Sequence, residues 1–173
     1  MSMQKAVFAA GCFWCAEHDF ENVPGVLKVI SGYTGGELKN PTYEQVSAGG
    51  TGHFETVEVY YDPGKISYEQ LLNFFWHNVD PEDGTGQFCD KGDSYRSAIF
   101  YQTEAEKKMA EQSKSQWKES GRFKNIATLI LPVRQFYPAE DYHQDYAKKN
   151  PVRYRFYRYS CGRDARLAML WGS

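Results

Sequence analysis

Three observations predict an α+β fold, a split β-α-β-β-α-β (ferredoxin-like) sandwich with added helices and an irregular C-terminal tail. Apolar runs and period-2 alternation mark strands near residues 6–10, 26–33, 53–61 and 95–101. Helical patterns fall between the first and second of these, and between the third and fourth. No repeat, low-complexity segment or linker interrupts the 173 residues, so residues 1–173 are expected to form one domain.

Taken in order, Ala6-Val7-Phe8-Ala9-Ala10 reads as a buried strand, and Ala16 to Glu21 as a helix ending before Pro24-Gly25. Val26 to Tyr33 reads as the second strand, closed by the Gly35-Gly36 turn. Asn40-Pro41-Thr42 opens a short turn or helix, with Thr42 as its cap. After the Gly49–Gly52 loop, His53 to Tyr61 alternates as a strand until Asp62-Pro63-Gly64. Ser67-Tyr68-Glu69-Gln70 is a capping box for an amphipathic helix reaching Asn78. Val79 to Ser94 reads as a long loop, and loops of that length in compact domains are often functional. Tyr95 to Tyr101 is a strand, and Thr103 caps a helix to Ser120 with Glu106 as its capping-box partner. Asn125 to Val133 reads as a strand and Glu140 to Lys148 as a short helix. Residues 150–173 lack firm periodicity and are expected to form a mobile or extended tail.

Composition narrows the function. Net charge is −2, which argues against a broad nucleic-acid or anionic-membrane surface. No apolar stretch approaches the about 20 residues of a membrane span, and the N-terminus has no signal-peptide pattern. A soluble, cytoplasmic monomer is the expectation. Aromatics reach 16%, with 13 Tyr and 4 Trp, so part of that surface is expected to serve a binding site. The basic, aromatic run Arg153–Tyr159 reads as a surface segment with aromatic anchors; an RNA-stacking role on a ferredoxin-like sheet is opposed by the charge and by the lack of a matching core motif.

The chemistry centres on Gly11-Cys12-Phe13-Trp14-Cys15-Ala16-Glu17. Cys12 falls where a strand hands over to a helix, and free N–H groups at a helix start stabilise a thiolate. A lowered pKa and a nucleophilic role are therefore expected, against the plainer reading of a small buried hydrophobe. Phe13 and Trp14 place ring faces beside it, suited to a small apolar group such as a methyl, although either ring taken alone reads as core. Cys12 and Cys15 also form a C-x-x-C, the pattern of a thioredoxin-like dithiol oxidoreductase, but bulky aromatics lie between them. Cys89 and Cys161 complete the four cysteines. Structural disulfides are not expected in the cytoplasm, and zinc would need ligands gathered from afar, so neither metal nor cofactor is expected.

Glu55 lies in an alternating strand with Val57 and Val59. If it shares their face it is a buried, protonated general acid; otherwise it is a solvated strand glutamate. Tyr43 and Tyr95 sit at loop ends and can offer phenol O–H groups, and Cys89-Asp90 pairs a thiol with a carboxylate. His53, His77 and His143 lack partners at recognisable spacing and read as structural.

Six motifs in order resemble the A-type peptide methionine sulfoxide reductases. They are Gly11-Cys12-Phe13-Trp14, Gly32-Tyr33-Thr34-Gly35-Gly36, Asn40-Pro41-Thr42-Tyr43, Gly52-His53 with Glu55, Asp90 before Tyr95-Arg96-Ser97, and Ala139-Glu140-Asp141-Tyr142-His143-Gln144. The resemblance implies Cys12 as nucleophile, Phe13 and Trp14 as methyl-pocket walls, and Glu55, Tyr43, Tyr95 and Asp90 around the sulfoxide oxygen. It implies action on the S epimer of methionine sulfoxide, free or in proteins. A Cys12 sulfenic acid, an intramolecular disulfide and an external dithiol such as thioredoxin complete the cycle. The sequence departs from a common family form at Cys15 and Cys89, which leaves the resolving thiol open. Cys161 is the expected resolver, in a tail able to swing. Cys15, one helical turn from Cys12 at a Cα separation of roughly 5–6 Å, is the alternative.

Overall fold

The computed structural model describes residues 3–172. The chain begins with β1 (Gln4–Ala10), α1 (Phe13–Glu21), β2 (Val26–Thr34), α2 (Tyr43–Ala48), β3 (Phe54–Tyr61) and α3 (Tyr68–Trp76). A small ribbon, β4 (Gly86–Gln87) with β5 (Asp90–Lys91), then precedes β6 (Ser97–Tyr101) and α4 (Glu104–Glu119). β7 (Leu129–Pro132), β8 (Tyr137–Pro138), α5 (Tyr146–Lys149), α6 (Pro151–Cys161) and α7 (Arg163–Trp171) complete it.

The large sheet runs β7-β6-β1-β3-β2-β8. Its centre, β6-β1-β3-β2, is wholly antiparallel, and β3 splits the β1-α1-β2 unit. β7 adds parallel to β6 at one edge and β8 antiparallel to β2 at the other. Phe8, Phe20, Tyr68 and Phe75 stack between the sheet and the helices. The opposite face carries a smaller cluster of Val7, Ala9, Phe54, Ala98 and Phe100. β1 is therefore buried on both faces, as its unbroken apolar run requires.

Local chemistry sets most boundaries. Thr42 and Ser67 each accept from the N–H of the third helical residue, and Gln45 and Gln70 reach back to the caps. At α4 only half of the predicted capping box forms: Thr103 accepts from the Glu106 N–H, while the Glu106 carboxylate takes the Gln102 N–H at 2.8 Å.

Three expectations need correction. The segment expected as one helix over residues 140–148 is broken: a 3₁₀ turn at Asp141–His143 is separated from α5 by Asp145, whose φ of 55° is left-handed. Tyr95 does not begin a strand but closes a 3₁₀ turn, Asp93–Tyr95, ahead of β6. The tail is not irregular. It folds into α6 and α7, hinged at Gly162 (φ 75°), and lies back on the domain through Tyr154, Tyr157, Arg158 and Arg163. Among the described residues no helix is long and apolar enough to cross a membrane.

Candidate active site

The strand-to-helix corner is built on Gly11. Its φ of 87° is left-handed, and a Cβ there would lie 2.6 Å from the Gln87 Cβ. The close approach anchors the long loop: buried Gln87 bonds the Asp80 N–H and carbonyl at 2.8 Å each. That loop carries Asp90 and leads into Tyr95, and both lie near Glu55.

Cys12 is the N-cap of α1, and its carbonyl accepts from the N–H groups of Cys15 and Ala16 at 3.2 Å. It is only 7% exposed. The expected lowering of its pKa is not found. Burial pushes the Cys12 thiol well up, with Cys15, Glu55 and Asp90 adding to the effect. The helix N–H nearest to hand, that of Phe13, is already donated to Glu55 Oε1 at 3.1 Å. The low value sits one turn on. A hydrogen bond from the Cys12 thiol brings Cys15 down to about 7 against the effect of burial, and the guanidiniums of Arg163 and Arg158 assist. Of the two buried sulfurs, the one near the arginines is therefore the first to lose its proton.

Glu55 is 1% exposed, which decides between its two readings. Burial raises it to about 8, with Asp90 pushing further while the Phe13 N–H and the Tyr95 phenol pull down. It is a neutral acid at neutral pH. Its Oε2 is buried without a hydrogen-bond partner among the described residues, so one oxygen is bound and one is free. Tyr95 and Tyr43 are neighbouring phenols beside it, and burial raises both.

The aromatic wall is held from the other end of the chain. Trp14 Nε1 donates to His143 Nδ1 at 3.0 Å, and Trp14 stacks on Tyr146 at 3.8 Å between ring centres. His143 also packs against Phe13 and Tyr43, at 5.1 and 4.4 Å. Burial lowers its pKa, which keeps the imidazole neutral and able to accept from the indole. Glu140 fixes the wall to the sheet by accepting from the Tyr33 hydroxyl at 2.8 Å and the Tyr43 N–H at 3.0 Å. His53 is structural, as expected: it accepts from the Gly36 N–H and bonds the Leu38 carbonyl.

Cys12, Phe13, Trp14, Tyr43, Glu55 and Tyr95 thus converge. Asp90 is close by but is engaged elsewhere, because the Tyr157 hydroxyl donates to its Oδ2. Cys161 departs from expectation. It ends α6 and is bonded to Cys89, not to Cys12, while Cys12 and Cys15 are free and buried. The chain therefore holds a disulfide that the cysteine count did not lead one to expect. Cys89, Asp90 and Cys161 bring three ligating atoms within 4.8 Å of one another, but both sulfurs are committed to that bond. Tyr157 and the positioning role of His143 were missed from sequence. The spacing 154, 157, 158, 161 was the available signal for a helix returning to the site.

The sequence model of the family described as "Peptide methionine sulfoxide reductase" matches residues 4–173. The peptide methionine sulfoxide reductase MsrA 2 of Caulobacter vibrioides is 54% identical over 169 residues, covering 98% of this chain and 86% of its own. The reduced form of Mxr1 from Saccharomyces cerevisiae superposes with a TM-score of 0.81 at 34% identity, over 87% of each chain. Mxr1 in complex with Trx2 matches with a TM-score of 0.57 at 26% identity, over 84% of this chain and 85% of that one. With its family model matched over residues 4–173 and a relative 54% identical over 98% of its length, the chain belongs to the peptide methionine sulfoxide reductase family, A type.

Proposed function

We propose that the protein reduces the S epimer of methionine sulfoxide, free or in proteins, with Cys12 as nucleophile and Glu55 as acid. Thiol-dependent reduction of this sulfoxide is the activity of the family. The observation that carries the residue roles is Glu55: buried, protonated, tied by one oxygen to the Phe13 N–H and free at the other.

A sulfoxide sulfur is a poor electrophile until its oxygen gains a proton. The free oxygen of Glu55, helped by Tyr95 and Tyr43, supplies it. Phe13 and Trp14 hold the methyl group. Cys15 accepts the Cys12 proton as the Cys12 sulfur attacks. Methionine leaves two electrons richer, and Cys12 keeps the oxygen as a sulfenic acid.

Cys15 is then the nearest reductant. Its sulfur condenses with the sulfenic acid to a Cys12–Cys15 disulfide and water. Cys161 and Cys89 serve the return leg. Cys89 is exposed, so an external dithiol such as thioredoxin meets the outer disulfide first. Its two electrons pass through exchange with the inner disulfide, and the outer bond re-forms. Such a cycle suits the cytoplasm, where reducing dithiols are abundant.

Turnover of a racemic methionine sulfoxide peptide with thioredoxin as reductant tests this. Half of the substrate is expected to be consumed, and C12S to consume none. Loss of both epimers, or activity in C12S, would overturn it.

A further inference from the structure

Tyr157 contacts the nucleophile from a helix that the sulfoxide step does not use. It lies on α6, one turn before Cys161. Its hydroxyl donates to Asp90 Oδ2 and lies beside the Cys12 sulfur. Its ring meets Trp14 edge-on at 5.6 Å. The hydroxyl therefore bridges the reacting sulfur and a half-buried carboxyl, and Glu55 makes no part of that bridge.

We propose that Tyr157 is a second catalytic acid, serving the resolution of the Cys12 sulfenic acid rather than the reduction of the sulfoxide. The inference rests on the sulfoxide-reductase reading above. Two acid sets flank one sulfur. Glu55 with Tyr95 and Tyr43 lies on the side of the Phe13 N–H, and Asp90 with Tyr157 on the side of α6. Cys12 is only 7% exposed, so its sulfur is enclosed by the protein.

The step balances. Cys15, protonated in the sulfoxide step, returns a proton to the Glu55 carboxylate which that step left behind; its thiolate then attacks the Cys12 sulfur and an S–S bond forms. The Cys12 S–O bond breaks with both electrons on oxygen. The departing hydroxide takes the Tyr157 proton and leaves as water, and the acid form of Asp90 re-protonates the phenolate. Hydroxide is a stronger base than a phenolate, so the first transfer runs downhill. Burial raises the Asp90 carboxyl, which favours its acid form. Asp90 thereby moves from the sulfoxide oxygen, where family resemblance puts it, to the second half of the cycle.

Rapid-quench single turnover of Y157F, with D90N beside it, tests the assignment. Methionine release and disulfide formation are followed separately, and sulfenic acid is trapped with dimedone. Both variants are expected to slow disulfide formation on the order of 100-fold, far more than they slow methionine release, and to accumulate dimedone-labelled Cys12. Equal slowing of both steps would place Tyr157 with the sulfoxide, and slowing of neither would reduce it to a cover; either outcome overturns the proposal. No methionine from the wild type would instead overturn the function itself.

Discussion

Glu55 accepts the backbone N–H of Phe13 at 3.1 Å, so the proposed acid is fastened to the residue directly after the proposed nucleophile. The bond ties the Glu55 carboxyl to the Cys12 corner and leaves its Oε2 without a partner among the described residues. Glu55→Gln keeps that bond through its carbonyl and loses only the proton. The burst of methionine should slow by roughly 100- to 10,000-fold with folding intact. A change of less than about threefold would remove Glu55 from the chemistry.

The same carboxyl sets a pH dependence with a definite sign. Its folded value, about 8, lies above the ordinary 4.5, so the native state holds the proton more tightly than the unfolded chain. That contribution to stability is complete below 4.5 and is lost as pH climbs through 8. Sulfoxide reduction should fall with rising pH over the upper part of that window. Urea unfolding of wild type and E55Q between these limits should show the wild type losing ground as pH rises. A constant difference would mean that Glu55 is ionised throughout.

The contrast between the Cys12 and Cys15 thiols predicts where thiolate appears. In a C89S/C161S background, ultraviolet thiolate absorbance should rise with a midpoint near 7. Adding C15S should abolish that transition, because the remaining Cys12 thiol is buried and held high. Persistence of the midpoint in C15S would put the charge on Cys12 instead.

The Cys89–Cys161 bond joins residues 72 apart in sequence and pins α6 to the β4-β5 ribbon. Replacing both with Ser should cost about 2–5 kcal/mol, read as a lower urea midpoint under oxidising conditions. Strong reductant should bring the wild type down to the variant. Equal stabilities in the absence of reductant would show that the bond does not restrain the tail.

His143 accepts from the Trp14 indole, and without it a half-buried N–H is orphaned. H143A should raise KM for the sulfoxide by roughly 5- to 150-fold, the equivalent of a loss of about 1–3 kcal/mol, while kcat changes less. An unchanged KM would mean that Trp14 does not shape the substrate pocket.

The framework was legible because its signals are local. Strand alternation, the Thr42 and Ser67 capping boxes and the Cys12 corner all declare themselves within a few residues. Glu55 was only half legible. β3 buries Phe54, Thr56 and Glu58 as well as Val57 and Val59, so a period of two could not assign a face. The tail was missed because its inward residues are Tyr154, Tyr157, Arg158 and Cys161, a helical stripe without an aliphatic pattern. Its apolar Phe156 and Tyr159 point outward, at 72% and 86% exposure. The Cys89–Cys161 pairing depends on that missed helix and could not precede it. The Cys12 thiol was misjudged because helix-end stabilisation was weighed without the burial that outweighs it.

The most direct test is a single turnover without external reductant, starting from protein with Cys89–Cys161 bonded and Cys12 and Cys15 reduced. About one equivalent of methionine is expected, from one epimer only, with a new Cys12–Cys15 disulfide mapped by mass spectrometry and the outer bond unchanged. No methionine, or a Cys12–Cys161 link with Cys89 set free, would contradict it.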